Sequence, residues 1–244
     1  MAAEAITPST PRPVRWSTLA QWWRDVTFAH WPVAPARVAG LLPPGTRPDT
    51  LDGVTYVGLV PFRMHRVRLP VEPGVPYFRT FCETNVRLYS VDGAGRRGVV
   101  FRSLDAARLV PALVGRLGAR LPYTWSRMRL HRRGDVITYT CVRRWPRSRG
   151  VSGRLVVRVG RPIAEPTPLE HFLTARWGLH VPWRGRALYL PNEHPPWPLR
   201  RAELLHVDET LIAAAGLPAP VGPPVSVLHS PGVPVRFGPP VRTG

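Results

Sequence analysis

FCETNVRLY, running Phe81-Cys82-Glu83-Thr84-Asn85-Val86-Arg87-Leu88-Tyr89, is the most suggestive stretch of the chain. As a β-strand it sets Phe81, Glu83, Asn85, Arg87 and Tyr89 on one face and Cys82, Thr84, Val86 and Leu88 on the other. The even set is a core face. The odd set joins two aromatic rings to a carboxylate, an amide and a guanidinium, a mixture that lines small-molecule pockets. Solvent exposure is the competing reading for Glu, Asn and Arg on a strand. Glu83 and Asn85 are roughly 6.6 Å apart along such a strand, with Arg87 as far again, so they line a cavity rather than pair directly. The even face is then expected against outer helices and the odd face inside a barrel. There the nearby Arg87 cation should keep Glu83 ionised.

Working outward, the strand extends over Tyr77 to Val91, and Asp92-Gly93-Ala94-Gly95 turns it into GVVFRSL as a hairpin. The sequence Gly93-Ala94-Gly95-Arg96-Arg97-Gly98 matches the dinucleotide fingerprint, but Val99, Val100 and Phe101 continue as a strand where the fingerprint needs a helix. Upstream, GVTYVGLVPFRMHRV from Gly53 to Val67 is another strand covered on both sides. Trp16 to Trp31 shows helical spacing, with Ser17 as a cap and Pro32 as a stop. Downstream, Asp105 to Gly118 carries a helical stripe of Leu109, Val110, Leu113, Val114 and Leu117. Strands follow around Tyr123 to Leu130, Val136 to Arg144 and Arg154 to Val159, the last alternating as in a half-buried antiparallel sheet. Thr167-Pro168-Leu169-Glu170 is a capping box opening a helix that Gly178 would end. A short helix is expected near Asp208 to Ala215.

The chain has 244 residues, 44% of them hydrophobic, enough for one β-rich domain, here residues 16 to 240 behind a flexible tail, 1 to 15. Its 31 prolines and 21 glycines break long helices. The start MAAEAITPSTPRPVRW has no apolar stretch behind a basic region, and no window of membrane-spanning length is uncharged and apolar. A cytoplasmic protein without a membrane partner is expected. Cys82 and Cys141 read as small buried hydrophobes. The eight histidines do not fall at metal-ligand spacings, and His206 with Asp208 makes only two ligands, so neither a metal nor a cofactor is expected.

All 34 basic side chains are arginine, which removes Schiff-base chemistry at any side chain, because a guanidinium stays protonated. Formal net charge is +19, and between Arg127 and Arg161 eleven arginines face one acid, Asp135. That segment carries an alternative reading as a surface for nucleic acid or another polyanion.

A series of short motifs gives the chain a resemblance. They are HW at His30, LLPPG at Leu41, VPF at Val60, ETNVRLY at Glu83, SLDA at Ser103, LPY at Leu121, LTARW at Leu173, EHPPWPL at Glu193 and SPGV at Ser230. In this order they resemble the YqjF-like family, which is similar in turn to the acetoacetate decarboxylase-like superfamily. The resemblance implies an α+β, β-rich fold: a cone-shaped, mostly antiparallel β-barrel with a few helices packed outside and a ligand pocket within. The superfamily's decarboxylase works through a Schiff-base lysine that this chain lacks, so fold does not carry that chemistry here. Glu83 resembles in context the superfamily's pocket carboxylate. The reading is a binder of a small polar or anionic metabolite, a carboxylate or carbonyl compound. Glu83 would be the acid or base, Arg87 the anion partner, Asn85 an orienting hydrogen-bonder, and Phe81 and Tyr89 the aromatic walls.

Incubation with a β-keto acid followed by borohydride should leave every side chain unmodified in the mass spectrum, because no lysine exists to form the imine. An adduct at an internal residue would overturn this inference from composition.

Overall fold

In the computed structural model, residues 2–68, 80–108, 121–146 and 150–243 are described. Thirteen strands form one continuous sheet. The hairpin predicted around Gly93 is β4 (Thr80–Asp92) against β5 (Arg97–Ala106), and β3 (Thr55–Arg68) pairs with the other edge of β4. β1 (Leu19–Val33) lies between β3 and β12 (Ser226–Phe237). The remaining wall is β6 (Tyr123–Arg133), β7 (Val136–Trp145), β8 (Ser152–Pro162) and β11 (Arg200–Glu209). Going round from β4 through β5, β6, β7, β8, β11, β12, β1 and β3 returns to β4, which closes a nine-strand barrel. Within it only β5 and β6 run parallel. The resemblance therefore held for the fold.

The sheet also branches. β9 (Gly178–Trp183) pairs parallel with β5, and β10 (Arg186–Glu193) joins β9 to β12, which makes a second closure sharing β5, β4, β3, β1 and β12 with the first. β2 (Thr46–Pro48) and β13 (Val241–Arg242) are short edge strands, and α1 (Pro35–Val38), α2 (Pro168–Thr174) and α3 (Leu211–Ala214) are short helices. Two cores result. Ala29, Leu59, Val86, Leu88, Ile137, Tyr139, Leu155 and Val157 fill the nine-strand barrel. On the other side of β1, β3 and β4 lie Phe28, Phe62 and Phe81 with Trp197, and Tyr89 with Phe172, Leu173 and Leu179.

Several local expectations change. From Leu19 onward the segment expected as a helix is strand β1, which continues through Pro32 to Val33. Its register against β3 shifts between Arg24 and Ala29, at Asp25 with φ 49°. Trp23 and Phe28 consequently face one core while Ala29 and Trp31 face the other. A bulge breaks the two-residue period, and the broken period reads as helical spacing. α2 ends at Thr174 rather than running to Gly178, which opens β9. α3 is confined to Leu211–Ala214 because β11 continues to Glu209. The helix expected over Asp105 to Gly118 starts inside β5, and its residues 109–118 lie outside the described residues.

The segment 2–15, expected as a tail, runs along the domain. The Glu4 amide donates to the Gly95 carbonyl at 2.9 Å, Arg12 pairs with Glu4, the Val14 amide donates to Glu193 Oε2 at 2.8 Å, and the Val14 side chain is buried. Cys82 and Cys141 are free thiols. No helix among the described residues is long and apolar enough to cross a membrane.

SPGV is explained by Gly232, which has φ 118° on β12 opposite Arg24, where a Cβ would overlap the Trp23 carbonyl. Gly232→Ala should therefore lower stability by about 2 kcal/mol or more, read as a shift in the urea midpoint. An unchanged midpoint would show that the β1–β12 contact relaxes freely.

Candidate functional site

The alternation of β4 organises the site, with the two faces exchanged relative to expectation. Val86 and Leu88 point into the nine-strand barrel, so the even face packs on the barrel core rather than on outer helices. The odd face lies within the second closure, covered by α2, β9 and Trp197. Phe81, Glu83, Asn85, Arg87 and Tyr89 are all buried.

Arg87 and Tyr89 meet the C-terminal end of α2. A helix end leaves its last carbonyls without intrahelical partners, and burying them unbonded costs free energy. Here each has a donor. Phe172 O accepts from Arg176 Nε at 2.7 Å, Leu173 O from Arg87 Nη2 at 2.7 Å and Tyr89 Oη at 2.9 Å, and Thr174 O from Trp197 Nε1 at 3.1 Å. Tyr89 Oη also accepts from Arg87 Nε at 3.2 Å and lies 2.6 Å from His30 Nε2. Since the tyrosine proton goes to Leu173, the network assigns the Nε2–H tautomer to His30, with Nδ1 buried and unbonded. Burial first, then the cations Arg87 and Arg176, hold His30 well below the usual histidine range, so it is neutral.

Charge is unbalanced here. Asp49 pairs with both Arg97 and Arg176, and the Arg176 guanidinium stacks 4.3 Å from the Phe172 ring and 4.7 Å from that of Tyr89. Arg87 has no carboxylate partner among the described residues. It lies 5.4 Å from the Phe28 ring centroid, its Nη1 makes no hydrogen bond among the described residues, and the residue is only 5% exposed.

Glu83 sits in a different setting. Tyr123 Oη donates to its Oε2 at 3.4 Å, and Asn85 is its neighbour on the same face. Burial pushes its carboxyl up to about 8, with the polar Asn85 and Tyr123 side chains opposing and Asp105 adding to the rise. The expectation that Arg87 keeps Glu83 ionised is thus corrected. Arg87 turns to α2 and does not act on Glu83, which is a neutral acid at pH 7. Asn85 Oδ1 is buried without a partner. Tyr123 is a member of this group that sequence reasoning missed; its LPY motif was the only signal.

Two further groups surround these residues. Ser90 Oγ lies 2.7 Å from His180 Nδ1, whose Nε2 lies 3.4 Å from Asp92 Oδ2. All three are buried, and Asp92 accepts the Ala94 and Arg96 amides and pairs with Arg96, so the group pins the hairpin turn. A cleft of about 340 Å³ lies beside α2, lined among others by Ile163, Glu165, His171, His194, Trp197 and Leu199. None of the five predicted residues lines it. Its wall Trp197 packs edge-on to Phe28, with centroids 5.2 Å apart, and Phe28 is the ring beside Arg87. Burial drives His194, in the same wall, down to about 4. No group of three or more metal-ligating side chains occurs among the described residues, and His206 and Asp208 are exposed on β11.

Comparison with known proteins agrees with this architecture. The family DUF2071, described as "Uncharacterized conserved protein", matches residues 20–234. "Uncharacterized protein YqjF" of Bacillus subtilis (strain 168) is 32% identical over 212 residues, 85% of each chain. Among solved structures, the enduracididine biosynthesis enzyme MppR complexed with pyruvate has a TM-score of 0.64 at 16% identity, covering 93% of this chain and 91% of that one. An acetoacetate decarboxylase-like enzyme from Sphingomonas wittichii RW1 has a TM-score of 0.64 at 17% identity, covering 100% of this chain and 99% of that one. An acetoacetate decarboxylase has a TM-score of 0.60 at 12% identity, covering 96% and 95%. Matched over residues 20–234, the chain belongs to the DUF2071 family of YqjF-like proteins and has the acetoacetate decarboxylase-like fold.

Proposed function

We propose that the odd face of β4 binds a small carboxylate or carbonyl compound without Schiff-base chemistry. The observation that carries this reading is Arg87, a buried guanidinium that, among the described residues, has no carboxylate partner and no hydrogen bond from Nη1. A desolvated cation in that state favours an anion. Glu83 supplies the second element. As a neutral acid beside Tyr123 it donates a hydrogen bond to a carbonyl oxygen, and Asn85 Oδ1 accepts one from the ligand. MppR, of similar fold, has been crystallised with pyruvate, an α-keto acid, which favours this ligand class. Phe81 and Tyr89 give the face its aromatic ends.

Calorimetric titration with pyruvate and acetoacetate tests the reading. Arg87→Gln should weaken binding at least tenfold, as expected for losing a charge-assisted hydrogen bond. Because Arg87 also caps α2, circular dichroism must show the variant folded, and Glu83→Gln provides an independent arm. Wild-type affinity should fall as pH rises through about 8, where Glu83 ionises, and the Glu83→Gln affinity should be flat over that range. No binding by wild type, or equal binding by folded Arg87→Gln, rejects the proposal.

The same group makes a stability prediction independent of any ligand. Its folded pKa of about 8 lies above the ordinary 4.5, so the unfolded chain releases this proton first. Its contribution is complete below pH 4.5, declines as pH rises by up to about 1.4 kcal/mol per unit, and is lost once pH passes about 8. Urea unfolding of wild type and Glu83→Gln should show the wild-type advantage shrinking from pH 5 to pH 8. A difference independent of pH would mean that Glu83 is ionised in the folded state.

A further inference from the structure

The outer wall of β6, β7 and β8 is a feature that ligand binding does not use. Inward residues of these strands, among them Ile137, Tyr139, Leu155 and Val157, fill the barrel, so their alternates face outward. Among the arginines described between 127 and 161, three have carboxylate partners: Arg132 with Asp25, Arg143 with buried Asp105, and Arg158 with Glu203. Arg127, Arg129, Arg133, Arg154 and Arg161 are exposed and make no ion pair among the described residues. Arg127, Arg129 and Arg133 lie along one strand at alternate positions, and Arg154 lies across Thr140 from Arg129. The field ends at β11, where Glu203 and Asp208 stand opposite Arg158 and Arg154.

Aromatic rings lie at one end of the field. Arg144 stacks 5.4 Å from the Trp125 ring, and Trp145, opposite Trp125 in the register, is 44% exposed. Between the arginines the outward positions mix Thr138, Thr140 and Ser152 with Val136, Val142 and Val156, and Val142, opposite Arg127, is 39% exposed. We propose that this face is a docking surface for single-stranded nucleic acid. The row of guanidiniums tracks the phosphates and the tryptophans offer stacking surface to unpaired bases. A duplex hides its bases from such rings. A second copy of this chain docked through the same face would bring these five cations against the same five.

Fluorescence anisotropy with labelled oligothymidylate tests this. Log affinity should fall linearly with log salt, by about 0.7 per phosphate neutralised. Combining Arg127→Ser, Arg129→Ser and Arg154→Ser should reduce that slope by about 2 and affinity at low salt at least tenfold. Removing equal charge at exposed Arg184, Arg186 and Arg242 should leave the slope unchanged. Trp145→Ala should weaken binding about tenfold with the slope intact. The proposal is overturned if the two triple variants behave alike, if the duplex binds as well as the single strand, or if the face instead mediates anionic-vesicle binding or self-association in sedimentation. These side chains are exposed, so the variants should fold, which an unchanged melting temperature confirms.

Discussion

The capping of α2 by buried guanidiniums is the interaction on which the second core depends. A helix of seven residues has little cooperative stability of its own, and its final carbonyls point into a dry interior. Arg87 from β4 and Arg176 from the segment after the helix satisfy them, and Tyr89 and Trp197 complete the set. Two motifs far apart in the chain, ETNVRLY and LTARW, are therefore two halves of one unit. The first supplies donors on a rigid strand; the second supplies acceptors and returns one donor. Removing Arg176 would leave the buried Phe172 carbonyl without its donor, a larger loss than the net worth of the bond, whereas the Leu173 carbonyl keeps Tyr89 if Arg87 is removed.

The same unit concentrates charge. Three guanidiniums, from Arg87, Arg97 and Arg176, lie around Tyr89 and Phe172, and Asp49 pairs with the last two. Lysine could not serve here, because a buried ammonium sheds its proton readily and lacks the planar fork that bonds a carbonyl and a carboxylate together. Aromatic faces lie alongside each cation, which reduces the cost of desolvation. Burial, reinforced by this field, keeps His30 neutral, which lets its ring act as the uncharged partner of Tyr89.

Glu83, on the same face, responds chiefly to burial. Only one side chain of that face, Asn85, separates it from Arg87 in the alternation, yet their environments oppose one another: a cation without an acid among the described residues, and an acid that stays neutral. This separation gives the face two distinct polar ends.

The sequence by itself determined the β-rich class, the β4–β5 hairpin, the half-buried β8, the capping box and the absence of lysine chemistry. Each is set within a few residues by alternation, turn chemistry or composition. Its motifs also pointed to the family. Tertiary structure alone decided that β1 is a strand, because a bulge at Asp25 moves its tryptophans between two cores and scrambles the local period. Tertiary structure also decided which face of β4 meets which core, and that Arg87 turns to α2 instead of Glu83. Strand alternation says that two sets of side chains point apart; only the branching of the sheet and the position of a helix some eighty residues away say what each set meets.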